Sequence, residues 1–114
     1  MKTLEVNCYG NKFDVWFYTN TYANNGTMYI GAMCKDEDGN VDYYGDVSVN
    51  LSHGRVDNDN EFYADINNSK ELIKTMLEAK LIEDLDETCS SGYCIYPKMK
   101  ITEKFKEYIE ESEV

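Results

Sequence analysis

The sequence predicts an α+β fold: a mostly antiparallel, twisted β-sheet, one main helix packed on a face and a short C-terminal helix. Several segments alternate apolar and polar residues with a period of two, which is typical of half-buried strands. Short turn signals separate them, and two stretches in the C-terminal half show the spacing of an amphipathic helix. The length of 114 residues predicts a single domain over 1–114, of which 110–114 are expected to be mobile.

The N-terminal segment predicts a β-hairpin over about residues 2–19, with its turn at Gly10. The second strand carries two large aromatics, Trp16 and Tyr18, on the face opposite its other apolar residues. A second packing surface is the commoner role for such residues, because large aromatics gain by burial. An exposed aromatic patch for a partner is the alternative.

The longest alternating stretch, Thr27–Leu51, predicts a second hairpin around which the other elements pack. Its turn lies at Asp36–Asn40, and Gly45 indicates a bulge in its second strand. In the loop before this hairpin, Asn24 and Asn25 tolerate left-handed backbone conformations. The predicted inward residues of the hairpin are Met28, Ile30, Ala32, Cys34, Val41, Tyr43, Val47, Val49 and Leu51.

The C-terminal half predicts a strand, a helix, a second strand and a short helix. An acidic segment and a loop, Glu83–Gly92, separate the first helix from the second strand. Asn68 is the expected N-cap of the first helix, with Glu71 three residues later. The four predicted elements are Glu61–Ile66, Ser69–Lys80, Tyr93–Met99 and Glu103–Glu111.

The charge balance is strongly acidic, with 22 acids, 11 bases and a formal net charge of -11. Nucleic acid and anionic membranes repel such a chain, so neither is expected as a direct partner. A basic protein partner is expected instead. Between Asp36 and Asp65 nine acids stand against one base, Arg55, which concentrates the negative charge more than a uniformly charged surface requires.

No apolar run approaches the length of a membrane span, and no signal-peptide block is present, so a cytoplasmic protein is expected. Its four cysteines are then expected to be reduced. Cys8 and Cys34 are expected to face inward as small apolar residues. Cys89 and Cys94 leave open a zinc site shared with that pair, although no metal or other cofactor is expected.

No catalytic constellation stands out, and we expect no enzyme activity. The single histidine, His53, lies in a polar loop where exposure to solvent is expected. Asp57, Asp59 and Glu61 alternate like the start of a calcium loop, but Phe62 stands where that loop needs glycine. A metal-dependent nuclease that uses the Asp57–Glu61 cluster is the alternative.

Four short segments carry a family resemblance. They are Tyr22–Gly26 (YANNG), Val49–Leu51 (VNL), Asp65 with Asn67-Asn68, and Ser91–Pro97 (SGYCIYP). Their order and spacing, over roughly residues 20 to 100, resemble a small uncharacterised domain family carried by conjugative and phage-like elements of Firmicutes. The resemblance implies a mobile-element setting, in which small acidic inhibitors of host defence are common, and it implies no activity that could be transferred residue by residue.

Charge and resemblance together predict an inhibitor of a host nucleic-acid-handling defence system, of the anti-CRISPR type. Its target would be a CRISPR effector nuclease of the Cas9 class or its guide complex, which holds nucleic acid in a basic channel. In an extended strand, alternate carboxylates stand about 6.6 Å apart, comparable to successive phosphates. The candidate contacts are these acids and neighbouring tyrosines expected to be exposed: Asp36, Glu37, Asp38, Asp42, Tyr44, Asp46, Asp57, Asp59, Glu61 and Tyr63. The alternative is a non-inhibitory interaction module of a conjugative element, able to form a homodimer through its sheet.

Overall fold

The computed structural model describes residues 2–23, 26–51 and 54–110. These ranges contain mostly antiparallel β-structure and one short α-helix, as the sequence predicted. The expectations for Asn24, Asn25, His53 and the tail beyond Glu110 lie outside them. In chain order the elements are β1 Leu4–Cys8, β2 Asn11–Thr21, β3 Met28–Lys35, β4 Val41–Asp46, β5 Ser48–Val49, β6 Glu61–Ala64, α1 Lys70–Glu78, β7 Ile82–Ser91, β8 Cys94–Ile101 and a 3₁₀ helix Glu103–Tyr108.

The described strands form two four-stranded sheets, not the single sheet that was expected. The first has the order β1-β2-β3-β4 and the second the order β5-β6-β8-β7. The chain changes sheets after Asp46: the Val47 N–H still donates to the Ile30 carbonyl at 2.9 Å, and Ser48 then pairs with Ala64 of β6. The second alternating run, from Val41 to Leu51, is therefore divided between two sheets.

The predicted bulge at Gly45 is confirmed, and it changes which tyrosine faces the core. Ala32 pairs with Gly45 and Met33 with Tyr43, so Tyr44 is the extra residue. The Tyr44 ring packs on Phe13, with centroids 5.2 Å apart. Tyr43 and Val41 remain 53% and 62% exposed, so the prediction that they face inward was wrong, as was the expected exposure of Tyr44, which is half-buried.

The core combines apolar side chains of both sheets with three residues of α1, namely Leu72, Ile73 and Met76. The predicted N-cap was wrong, because Ser69 occupies that position and makes no side-chain cap bond. Asn68 instead donates its amide to the Asp65 carboxylate at 3.2 Å. The other large, fully buried side chains are Phe17, Phe62, Phe105, Ile30, Leu81, Ile82, Val6, Val15 and Val47.

Strand β7 was not predicted, because its sequence does not alternate. A register shift between Asp84 and Glu87 interrupts its pairing with β8, and Asp86 has a positive φ of 60°. Most of its side chains are solvent-exposed carboxylates and hydroxyls, so no apolar face marks it. The C-terminal helix also differs from the one predicted over Glu103–Glu111. Residues Glu103–Tyr108 form a 3₁₀ helix, which buries Phe105.

Helices long and apolar enough to cross a bilayer do not occur in the described part of the chain.

Candidate binding surface

The acids at the β3–β4 turn are exposed, and we call Asp36, Glu37, Asp38 and Asp42 the turn group. The Asp36 side chain also shapes the turn, because its Oδ1 accepts the backbone N–H groups of Asp38 at 2.9 Å and Asn40 at 2.8 Å. Such a bond is the usual way in which aspartate stabilises a tight turn. The other carboxylates of the turn group are therefore held at a defined end of the first sheet.

A second set of predicted contacts belongs to an ion network around a buried lysine of the second sheet. The Nζ of Lys98 lies 3.3 Å from Glu61 Oε1, 3.6 Å from Asp57 Oδ2 and 3.7 Å from Glu87 Oε2. We call these four residues the Lys98 network. Its lysine and Glu61 are both buried. Lys98 was not among the residues predicted from the sequence, although lysines at alternate positions of β8 opposite the acids of β7 are a recognisable cross-strand charge pattern.

The hydrogen bonds of Glu61 show that it is a structural residue. Its carboxylate accepts the Asn58 amide at 2.7 Å and the Asp57 backbone N–H at 3.0 Å. These bonds, with the charge of Lys98, outweigh burial and lower the pKa of Glu61. Burial alone would lower the pKa of Lys98, but the hydrogen bond and charge of Glu61, followed by Glu87 and Asp57, raise it.

The expected row of extended carboxylates at Asp57, Asp59 and Glu61 was therefore wrong. Residues 57–60 form bends and turns, so the carboxylates do not have strand spacing. Glu61 faces Lys98, and Asp59 remains exposed. A turn forms here because the Glu61 backbone N–H returns to the Asn58 carbonyl at 3.2 Å.

Tyr63 was expected to be exposed, and it is only 8% exposed. Its hydroxyl donates to the Arg55 carbonyl at 2.7 Å and accepts the Arg55 N–H at 3.1 Å. A Cβ on Gly54 would lie 2.6 Å from Tyr63 Cε2. The ring thus fixes the preceding loop against the second sheet, and it is not available as a contact residue.

The outward face of the first sheet carries a cluster of tyrosines that we call the tyrosine face: Tyr18, Tyr29 and Tyr43 around Asp46. Tyr29 donates its hydroxyl to Asp46 Oδ1 at 2.6 Å and lies 3.0 Å from the Tyr18 hydroxyl. Burial is the largest cause that raises the pKa of Tyr29, and Asp46 adds to it. The same two causes, in the same order, raise the pKa of Tyr43 to about 12. Both phenols remain protonated at neutral pH, and the Tyr29 hydroxyl is the donor to this carboxylate.

Gly31 makes this arrangement possible. It pairs with Tyr18 on one side and with Asp46 on the other. A Cβ at this position would stand 2.6 Å from Tyr18 Cε1 and 2.7 Å from the Tyr29 hydroxyl oxygen. The absence of a side chain lets both rings lie across the strand, so the face is a shaped surface, not a row of independent tyrosines.

An open cleft of about 1030 Å³ lies beside β4, between the β1–β2 turn and the β6–α1 loop. Its lining includes Tyr43 and Asp46 of the tyrosine face, and Asp65 and Glu71 from the other side. Asp65 is 8% exposed and accepts the Asn68 amide. The cleft therefore combines three carboxylates and aromatic rings with Lys70, and this negative balance suits a cationic group better than an anion.

Asp65 acts on residues from two of the other segments that carry the family resemblance, Tyr22 and Tyr96. The Tyr22 hydroxyl lies 2.9 Å from Ser48 Oγ. Burial is the largest cause that raises the pKa of Tyr22, and the charges of Asp46 and Asp65 add to it. Burial, followed by Cys94, raises the pKa of Tyr96, and the charge of Asp65 makes a smaller contribution in the same direction. Residues distant in the sequence thus form one neighbourhood at the junction of the two sheets.

All four cysteines are free, with Cys34 buried and Cys8, Cys89 and Cys94 half-buried. The described ranges hold no group of three or more histidine, cysteine or acidic side chains placed to bind a metal ion.

Comparison with known proteins gives one family. No curated protein and no solved structure matches the chain. The family model described as a domain of unknown function, DUF4313, matches residues 17–113. This range includes the tyrosine face, the β4 and β6–α1 sides of the cleft and every segment of the resemblance, and the chain therefore belongs to the DUF4313 family.

Proposed function

We propose that this protein is a binding protein without catalytic activity that occupies a basic surface of a partner protein. In its finer form, the proposal is an inhibitor of the anti-CRISPR type, carried by a mobile element and active in the cytoplasm against a Cas9-class effector. The observation that carries it is the exposed Tyr43 beside the turn group. An aromatic anchor within an acidic rim is a common arrangement for docking on a basic protein.

The electrostatics favour this kind of partner. A net charge of -11 repels nucleic acid but attracts the positively charged channel in which an effector holds guide and target. Carboxylates at an exposed turn speed the encounter with such a surface, and their contribution weakens as salt rises. The turn group, Tyr43 and Asp46 are the contacts we propose, because Glu61 and Tyr63 have internal partners.

The test is DNA cleavage by a guide-loaded Cas9-class effector in the presence of the purified protein. The variant Glu37→Lys/Asp38→Lys reverses two exposed acids and leaves Asp36 to shape the turn. The matched control, Asp59→Lys/Glu78→Lys, makes the same charge change at exposed positions on other elements. We expect the protein to inhibit cleavage, the first variant to lose at least about tenfold in potency and the control to remain within about twofold.

Absence of inhibition by the unmodified protein would contradict the anti-CRISPR form of the proposal. Equal loss in both variants would show that net charge, and not the turn group, determines binding.

The alternative is a non-inhibitory module that pairs with a second copy. One observation favours it: β4 is an edge strand of the first sheet and exposes Val41 and Tyr43, and edge strands can pair with another chain. Asp42 and Asp46 on the same strand oppose that pairing through like-charge repulsion. Sedimentation equilibrium of the purified protein distinguishes the two, because the dimer model predicts twice the mass of 13.2 kDa.

A further inference from the structure

We infer that the tyrosine face is a docking site for an arginine side chain of a basic protein partner, with Asp46 pairing the guanidinium and Tyr43 stacking on it. The inference rests on the proposed function and names the group that this surface selects. It concerns the face built around Gly31, which is distinct from the turn group.

The carboxylate of Asp46 is held in place but takes part in none of the ion pairs between described residues. Tyr29 donates to its Oδ1 at 2.6 Å, and Asp46 adds to burial in raising the pKa of Tyr43. An ionised carboxylate offers about four acceptor positions, so acceptor capacity remains. A half-buried carboxylate outside those ion pairs fits a cation from another molecule.

The surrounding rings favour a planar cation. The Tyr18 and Tyr29 rings pack with centroids 5.5 Å apart, and Tyr43 adds a ring that is 53% exposed. A guanidinium group can stack on such a ring and direct its fork of N–H groups at a carboxylate, which an ammonium group cannot do. The geometry therefore favours arginine over lysine.

Trp16 supplies an independent observation on the same face. It pairs with Met33, which pairs with Tyr43, so all three residues share one side of the sheet. The Trp16 side chain is 5% exposed, and its Nε1 has no hydrogen-bond acceptor among the described residues. A buried donor without an acceptor is costly. Because Trp16 shares a side of the sheet with Tyr43, its indole N–H is a local reporter of a group that docks there.

The test uses capped tetra-arginine and tetra-lysine peptides as probes of equal charge. Trp16 is the single tryptophan, so its indole N–H gives one resolved signal in an amide-proton NMR spectrum. We expect tetra-arginine to shift this signal and the Gly31 amide, and to bind about 3- to 5-fold more tightly than tetra-lysine. Tyr43→Ala should remove this preference, whereas Tyr93→Ala, at a fully exposed tyrosine of the β7–β8 turn, should retain it.

Equal affinity for the two peptides, or shifts confined to the turn group, would overturn the inference. That result leaves the proposed function standing if Glu37→Lys/Asp38→Lys still impairs inhibition. Conversely, a Tyr43-dependent arginine preference without any inhibition of the effector would support the docking site and contradict the anti-CRISPR function.

Discussion

The Lys98 Nζ lies 3.3 Å from Glu61 Oε1, and both residues are buried in the outward face of the second sheet. Two exposed carboxylates, Asp57 and Glu87, complete the lysine's surroundings. A buried pair of this kind contributes little net stability compared with apolar residues, but removing one member leaves an uncompensated charge. The pair therefore fixes how the loop before β6 lies on the sheet.

Lys98→Met should destabilise the protein by about 3 kcal/mol, because Glu61 then remains buried without its counter-ion. Urea unfolding followed by circular dichroism measures this change. The double variant Lys98→Met/Glu61→Leu removes both charges and should recover at least half of the loss. A single variant as stable as the unmodified protein would show that the ion pair is not coupled to folding.

Stability should fall on acidification below the ordinary glutamate pKa of 4.5. The folded state lowers the pKa of Glu61, so the unfolded chain binds the proton more readily and stability declines as the pH falls through the lowered value. Lys98 has a raised pKa, so its contribution is present below 10.5 and lost only as the pH rises through the folded value. Urea titrations between pH 2.5 and 7 measure the acid limb. Glu61→Gln should flatten it, and an unchanged slope would contradict this assignment.

Gly31→Ala should cost about 1–3 kcal/mol, because the added Cβ would overlap the Tyr18 ring and the Tyr29 hydroxyl. Thermal unfolding measures the loss. Gly45→Ala is the matched control on the neighbouring strand, since its nearest new contact is Ser69 Oγ at 3.6 Å. Equal stability of the two variants would indicate that the tyrosines can move away from the strand without cost.

Tyr63→Phe should lower stability by about 1–2 kcal/mol, because the Arg55 N–H and carbonyl both lose their partner. It should leave inhibition of the effector unchanged, since the hydroxyl is turned into the protein. Parallel urea unfolding and cleavage assays separate the two effects. Loss of inhibition in a variant that remains folded would place Tyr63 at the contact after all.

The strands that alternate strongly could be predicted from the sequence, because their core residues recur every second position. The inward residues Ile30, Ala32 and Cys34 of β3 illustrate this, and all are buried. Strand β7 could not be predicted, because its bulge and its exposed carboxylates conceal the period of two. The division of the Thr27–Leu51 stretch between two sheets also leaves no local signal, since it depends on Ser48 pairing with Ala64.

The candidate site was predictable only in part. Exposed acids at the β3–β4 turn follow from their position in a tight turn, so the turn group was identified correctly as exposed. The bulge exchanges the roles of Tyr43 and Tyr44, which the alternation alone cannot show. The burial of Glu61 depends on Lys98, which stands 37 positions later in the sequence.

The most direct test of the central claim is the dissociation constant for the guide-loaded effector, measured by titration between 50 and 300 mM NaCl. If the protein acts as an acidic surface docked on a basic one, the constant should rise at least about tenfold over this range, and the effector should be recovered chemically unchanged. Tight binding that does not depend on salt, or turnover of any component of the complex, would contradict the account.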